Sequence, residues 1–202
     1  MRVIGITGGV GAGKTEVLNV IRDNCKCYII LADEVAHEIE KRGNECYDKL
    51  VKLLSEDILG DDLEIDKKKM SQKIFEGNEG LLLKVNQIVH PLVKKYILQK
   101  IAEQKENGEC EYFFIEAALL IEDGYDKICD ELWYVYAREE IRRERLKLMR
   151  GYTDEKITSI MNNQNSDEVF RNYCSFVIDN SYDIDKMKEN LLNKISEMDR
   201  RK

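Results

Sequence analysis

Proline, long apolar runs and a secretion signal are scarce or absent in this chain. Pro91 is the one proline among 202 residues. Because a proline disfavours helix in the residue before it, His90 is predicted to lie at a kink or break. No apolar run reaches the roughly 18 residues that a membrane span needs. The amino terminus has no signal-peptide pattern, so we expect a cytoplasmic protein without a membrane partner.

Paired cysteines and an excess of positive charge are missing as well. The six cysteines form no C-x-x-C pair, which argues against a zinc site and favours reduced thiols. The net charge of −7 provides no broad field for a phosphate backbone, so general nucleic-acid binding is not expected. With 43% hydrophobic and 35% charged residues, the composition is typical of a globular core. We expect a single domain, residues 1–202, that acts as a monomer.

A glycine-rich segment near the amino terminus carries the clearest functional signal. The apolar run of residues 1–7 predicts a buried strand, and the next eight residues, Gly8–Thr15, fit G-x-x-x-x-G-K-[ST]. Apolar residues at helical spacing follow this motif. Glycines let the backbone close around an anion, so that the loop N–H groups point at phosphate oxygens. Lys14 can reach the β- and γ-phosphates, and the Thr15 hydroxyl can ligate Mg²⁺.

Four further apolar runs predict the remaining strands of a sheet. Near-continuous apolar runs are typical of parallel strands that are covered on both faces, and helical patterns separate them here. The runs are Lys26–Ala32, Glu111–Ala117, Leu132–Ala137 and Ser175–Ile178. The sequence therefore predicts an α/β fold, a five-stranded parallel sheet with helices on both faces, as in P-loop kinases.

Two helical segments interrupt the alternation of strands and helices. Residues 44–106 are predicted to form a substrate-binding insertion, in which Gly77 and Asn78 would end one helix. Residues 138–172 are predicted to form an arginine-rich lid, whose second helix would run from Asp154 to Asn172. Guanidinium groups suit phosphoryl oxygens, but Glu–Arg pairs at helical spacing are also typical of a solvated helix face. Spacing alone leaves both interpretations open for each arginine.

Two single residues carry weaker signals. Asp33 follows the second strand, where it could cap the next helix or face a ligand crevice and accept a hydroxyl proton. His90 could be a core or kink residue, or it could contact a substrate, because a lone histidine is weak evidence. Position alone does not decide between these alternatives.

Six segments, in order, resemble one family, the dephospho-coenzyme A kinases. The resemblance covers nearly the whole chain, and the ordered set is much more specific than the glycine loop alone. The segments are Gly5–Thr15, Leu31–Asp33, His90–Pro91, Ala118–Glu122, Arg145–Leu146 followed by Gln164, and Val177–Asn180. The chain departs from the family pattern at Leu31, at Lys67, at Ala118 and in the lid turn Met149–Gly151, which is one residue short.

The resemblance implies ATP-dependent phosphorylation of the ribose 3′-hydroxyl of dephospho-coenzyme A, with Mg²⁺ as cofactor. Lys14 would steady the phosphate charge, Asp33 would act as general base, and Arg145 would meet the transferring phosphoryl group. His90 and Asp33 would contact the acceptor substrate, and Thr15 would hold the metal ion. The implied ATP-binding residues are Gly9, Gly11, Ala12, Gly13, Lys14, Thr15 and Glu16.

Two other functions remain open from the sequence. A nucleoside monophosphate kinase would share the glycine loop, the insertion and the lid. A GTP-driven switch would need a guanine-reading N-K-x-D segment after a strand, and none occurs there. The D-x-x-G match at Asp57–Gly60 lies among predicted helices, where a plain turn explains it.

Overall fold

The computed structural model describes residues 1–76 and 80–200. The chain divides into two compact units, Met1–Ile29 with Asn107–Lys202, and Ile30–Glu106. The helix end expected at Gly77 and Asn78 lies outside the described residues. Among the helices that are described, none combines the length and the apolar character that crossing a bilayer requires.

The structure contains a five-stranded parallel sheet, most of which lies in the first unit, and this confirms the predicted fold class. The strands are β1 (Arg2–Thr7), β2 (Cys27–Leu31), β3 (Tyr112–Glu116), β4 (Glu131–Tyr136) and β5 (Phe176–Asp179). Their order is β2-β3-β1-β4-β5, with β1 in the centre. Ile6 of β1 lies opposite Glu116 on one side and Trp133 on the other. The segment after β1 therefore leaves the sheet between the carboxyl ends of two strands, where α/β proteins bind ligands.

Helices of the first unit cover both faces of this sheet. In chain order, the helices of the whole chain are α1 (Lys14–Asn24), α2 (Ala32–Ile39), α3 (Glu45–Leu54), α4 (Lys67–Glu76), α5 (Gly80–Asn107), α6 (Glu139–Arg150), α7 (Asp154–Asn162), α8 (Asp167–Tyr173) and α9 (Ile184–Asp199). Tyr134 of β4 stacks on Phe170 of α8 with ring centroids 4.7 Å apart. The preceding residue, Trp133, must point to the opposite face. On that face it donates to Glu131, which pairs with Lys194 of α9 at 2.9 Å.

Aromatic side chains fill the face beneath α9. Phe114 and Trp133 meet edge to face with centroids 5.7 Å apart, and Trp133 meets Phe176 in the same way at 5.3 Å. Trp133 and Phe114 are fully buried. Each such pair contributes about 0.5–1.5 kcal/mol beyond its buried area. The aromatic cluster thus ties β3, β4 and β5 across the central strand.

The second unit is helical, and its longest helix is α5. Buried residues recur at every fourth position along it: Val85, Val89, Val93, Ile97 and Ile101. Pro91 lies inside this helix, so the alternative of a break at His90 was wrong, whereas the alternative of a kink stays a prediction. The proline removes one backbone hydrogen bond, but the apolar face is buried on both sides of it, and tertiary packing keeps the helix continuous.

The second lid helix is also different from its prediction. Instead of one helix from Asp154 to Asn172, the structure has α7 and α8 with a short connection between them. Ser166 caps α8, because its hydroxyl accepts the N–H of Val169 at 3.4 Å. Serine prefers this capping position to a helix interior, which explains the interruption. The connection contains Gln164, whose side chain is thereby available for long-range contacts.

One buried hydroxyl lies at the end of β1. Thr7 is fully buried, and its Oγ1 has no hydrogen-bond partner within residues 1–76 and 80–200. Replacing Thr7 by Val removes this unsatisfied polar group and keeps the shape of the side chain. We therefore expect Thr7→Val to raise the free energy of unfolding by about 1 kcal/mol.

Chemical denaturation of the two proteins measures this difference. Thr7→Ser, which keeps the hydroxyl and loses the methyl group, is the matched control and should be less stable than the original chain. A Thr7→Val protein that unfolds more easily would mean that the hydroxyl has a bonded partner in solution.

Candidate active site

The glycine loop ends in the first turn of α1. Gly13 immediately precedes this helix and has φ 89° and ψ 34°, a left-handed conformation. Its carbonyl accepts the N–H groups of Glu16 at 3.1 Å and Val17 at 3.3 Å. The first N–H groups of a helix carry partial positive charge and lack intrahelical acceptors. The loop and the start of α1 therefore suit an anion.

Side chains from the carboxyl-terminal half of the chain hold two carbonyl groups of this loop. Arg142 donates through Nε to the Val10 carbonyl at 2.9 Å. Asn180 donates through Nδ2 to the Ala12 carbonyl at 2.9 Å, and Arg145 donates through Nη1 to the same oxygen at 3.3 Å. Asn180 is itself buried. These contacts join residues that lie more than 130 positions apart in the sequence.

The N–H groups that follow these carbonyls are oriented as a consequence. In a planar trans peptide, the C=O and the next N–H point in opposite directions. The N–H groups of Gly11 and Gly13 therefore point away from the side chains that hold the loop. Neither N–H has an acceptor in the part of the chain that the structure describes. Donors fixed in this way can bind phosphate oxygens with little reorganisation.

Lys14 is held between a loop carbonyl and a carboxylate. Its Nζ donates to the Gly8 carbonyl at 2.8 Å and lies 3.6 Å from Oε1 of Glu116. Both side chains are mostly buried, with 17% and 15% of their surface exposed. Sequence reasoning did not select Glu116 as a site residue. The sequence feature that could have indicated Glu116 is a carboxylate at the end of an apolar strand. The pairing of β3 with β1 brings this carboxylate to the loop.

Hard oxygen ligands for a metal ion are present at the same end of the sheet. Thr15 is the second residue of α1, and Glu116 ends β3. A hydroxyl and a carboxylate are the ligand types that Mg²⁺ prefers when phosphate oxygens and water complete its shell. Among the described residues, no group of three His, Cys, Asp or Glu side chains could hold a metal ion without a ligand.

Arg145 contacts the loop through backbone carbonyls. Besides Ala12, its Nη1 lies 3.5 Å from the Gly11 carbonyl, and its Nη2 donates to the Asn180 carbonyl at 2.9 Å. The structure thus brings Arg145 to the glycine loop. Its contact with the transferring phosphoryl group stays a prediction.

Arg142 is a loop contact that sequence reasoning missed. It lies three residues before Arg145, so both side chains share one face of α6, which is the signal that could have found it. Burial lowers the pKa of the Arg142 guanidinium from its ordinary value. Arg143, on another face, pairs with Glu139 at 2.8 Å, as the solvated-face interpretation predicts. The solvated-face interpretation therefore describes Arg143, whereas a contact of Arg142 or Arg145 with a phosphoryl group stays a prediction.

Asp33 and His90 both belong to the second unit. Leu31 is the residue that precedes α2, and Asp33 lies exposed in the first turn of this helix, so the helix-cap interpretation of Asp33 was wrong. The helix begins two residues earlier than the sequence pattern indicates. His90 is half-buried in α5. The contacts of Asp33 and His90 with a substrate stay predictions.

Comparisons with known proteins point to one family. The sequence profile described as dephospho-CoA kinase matches residues 2–186. A dephospho-CoA kinase of Streptococcus agalactiae is 31% identical over 199 residues, covering 98% of this chain and 99% of that protein. One from Carboxydothermus hydrogenoformans is 34% identical and covers 94% of this chain and 91% of its own length.

Solved structures share the fold. A protein from Thermus thermophilus superposes with a TM-score of 0.80 at 24% identity, covering 97% of each chain. A dephospho-CoA kinase from Campylobacter jejuni has a TM-score of 0.73 at 20% identity, covering 98% of each chain. Likeness at this identity supports the architecture described above.

Gly13 is the loop position where a side chain should be tolerated least. A Cβ there would lie well under 3.0 Å from the Asn180 amide, in addition to the strain of φ +89°. We expect Gly13→Ala to weaken ATP binding at least about tenfold, because relieving the overlap moves the Asn180 amide or the loop peptide.

Gly43 provides a matched control for the backbone strain that a side chain suffers at positive φ. It has φ +90°, but nothing lies within 4 Å of its Cβ position. Calorimetric titration with ATP compares Gly13→Ala and Gly43→Ala, and the latter should bind ATP like the original chain. Equal affinities for both variants would show that the contact between Asn180 and the loop does not matter.

Proposed function

This chain belongs to the dephospho-CoA kinase family, and we propose on that basis how its residues carry out the reaction. The chain transfers the γ-phosphoryl group of ATP to the ribose 3′-hydroxyl of dephospho-CoA and releases ADP and CoA, the last step of coenzyme A synthesis. The observation that carries this assignment is the family match over residues 2–186.

The glycine loop binds the phosphates of ATP in this proposal. The N–H groups of Gly11 and Gly13, together with the start of α1, provide oriented donors for the phosphate oxygens. Lys14 exchanges its contact with the Gly8 carbonyl for contacts with the β- and γ-phosphates. Gly9, Ala12 and Glu16 are the remaining residues of the proposed phosphate site, and their backbone adjoins these donors. Phosphoryl transfer needs mainly alignment and positive charge, which these groups supply.

Thr15 and Glu116 would hold Mg²⁺ beside the loop. The bound ion supplies positive charge that offsets the charge developing on the β- and γ-phosphate oxygens. Arg145, already at the loop, turns its guanidinium toward the transferring phosphoryl group, since its present acceptors are neutral carbonyls.

Asp33 is proposed as the general base and His90 as a contact of the acceptor. A carboxylate that accepts the proton of the 3′-hydroxyl increases its nucleophilicity as the bond to phosphorus forms. Asp33 is exposed in the first turn of α2 and is therefore accessible to a substrate.

The chain is further proposed to act as a monomer in the cytoplasm. Arg142, Arg145 and Asn180 contact the glycine loop of their own chain, so these three contacts need no partner subunit. Size-exclusion chromatography with light scattering tests the monomer directly.

Replacing Asp33 by Asn tests the general base. Asp33→Asn removes the proton acceptor and keeps the size of the side chain, so we expect turnover to fall by about 10² or more with ATP binding intact. Steady-state kinetics and ATP titration measure the two effects. The neighbouring exposed carboxylate Glu34, replaced by Gln, is the control. Near-normal turnover in Asp33→Asn would contradict the assigned role.

An acceptor screen tests the function itself. ADP release is measured with dephospho-CoA, AMP, CMP and dTMP as acceptors, and we expect turnover with dephospho-CoA alone. Activity confined to a nucleoside monophosphate would contradict the proposal and identify a different small-molecule kinase. A preference for GTP over ATP without phosphorylation of any acceptor would favour a binding switch.

A further inference from the structure

Val10 has both of its backbone polar groups bound by one pair of side chains. Its carbonyl accepts Nε of Arg142 at 2.9 Å, and its N–H donates to Oε1 of Gln164 at 3.1 Å. Arg142 Nη2 also donates to that Gln164 oxygen at 2.9 Å. The three residues therefore close a ring of hydrogen bonds. The two side chains thus form hydrogen bonds with both the N–H and the C=O of Val10, as a neighbouring strand does for a residue in a sheet.

The chemistry of each side chain matches its place in the ring. The guanidinium presents Nε and one terminal nitrogen as a rigid two-donor fork, which a lysine cannot do. The amide oxygen of Gln164 has two lone pairs, and the two donors fill them. A Cβ at Gly9 would lie under 3.0 Å from the Arg142 guanidinium, so a side chain at that position would displace the guanidinium from the ring.

The charge of Arg142 is not matched by a carboxylate. Its guanidinium is half-buried, and no Asp or Glu oxygen of the described residues lies within 4.0 Å of it. Its bonded acceptors are a carbonyl and an amide oxygen, both neutral. A partly desolvated cation with neutral acceptors leaves its charge to attract an anion that enters the adjoining loop.

We propose that Arg142 and Gln164 are positioning residues for the triphosphate of ATP, because together they hold the Gly9–Gly11 arm of the loop in its anion-binding conformation. By fixing the Val10 carbonyl outward, the pair directs the Gly11 N–H toward the phosphate. Neither side chain needs to touch the nucleotide. The inference rests on the proposed function only in requiring that the loop binds ATP.

The test uses variants that open the ring at one point each. Arg142→Lys keeps the charge and loses the fork, and Gln164→Ala removes the shared acceptor. The matched controls are Arg143→Lys on another face of α6 and Asn163→Ala beside Gln164. Calorimetric titration with ATP and with inorganic tripolyphosphate reports phosphate binding separately from the nucleoside. Steady-state kinetics gives the KM for each substrate.

We expect each ring variant to bind both ligands about tenfold more weakly, the loss typical of one broken contact to a charged group. The KM for ATP should rise in parallel, whereas the KM for dephospho-CoA should stay within about twofold. Because the ring is one unit, the double variant should also lose about tenfold rather than the hundredfold product. The controls should match the original chain.

Two results would overturn the inference. One is tripolyphosphate affinity in both ring variants equal to that of the controls. The other is an equal rise in KM for both substrates, which would mean that the substitutions do not act specifically on the binding of ATP. If Arg142→Lys folds poorly, Gln164→Ala decides, because Gln164 lies in a connection outside the core. If the original chain binds ATP but does not phosphorylate dephospho-CoA, the proposed function is contradicted. The positioning role of Arg142 and Gln164 would still stand, because it requires only that the loop binds ATP.

Discussion

The structure depends on how the carbonyl groups of the glycine loop are satisfied. A loop that wraps an anion must turn its N–H groups inward, so its carbonyl oxygens need donors on the outside. Arg142, Arg145 and Asn180 supply those donors to Val10, Gly11 and Ala12. Each donor comes from the carboxyl-terminal half of the chain, and the parallel sheet brings that half to the loop. The fold thus orients the loop N–H groups in the absence of any ligand.

This arrangement links the arginine-rich helix α6 to the glycine loop, which is the proposed phosphate site. Two of the donors, Arg142 and Arg145, are on α6, and Gln164 is in the connection between α7 and α8. A displacement of α6 relative to β1 would break the bonds of Arg142 to Val10 and of Arg145 to Ala12, and would release the Gly11 N–H from its orientation. Asn180 follows β5 and would keep its own bond to the Ala12 carbonyl. The position of the arginine-rich helix and the affinity of the loop for phosphate are therefore coupled through shared hydrogen bonds.

The strands, the parallel sheet and the glycine loop of this protein could be predicted from its sequence, whereas the contacts between side chains distant in the sequence could not. Continuous apolar runs and the spacing of Gly8–Thr15 predict the strands and the loop, because those signals are local. The continuous helix through Pro91 depends on burial of the α5 face, which no window of sequence reveals. The roles of Arg142 and Glu116 depend on strand order and on the interruption between α7 and α8. Helix spacing groups Arg142 with Arg145, but only the fold shows which acceptors they meet.

The most direct measurement is a structure of the protein with Mg²⁺ and a non-hydrolysable ATP analogue. The account predicts that the Val10 and Ala12 carbonyls keep their bonds to Arg142 and Asn180, while the Gly11 and Gly13 N–H groups lie about 3 Å from phosphate oxygens. Lys14 should have left the Gly8 carbonyl for the phosphates. A loop in which either carbonyl has turned toward the phosphate, or in which Arg142 and Asn180 have released it, would contradict the account.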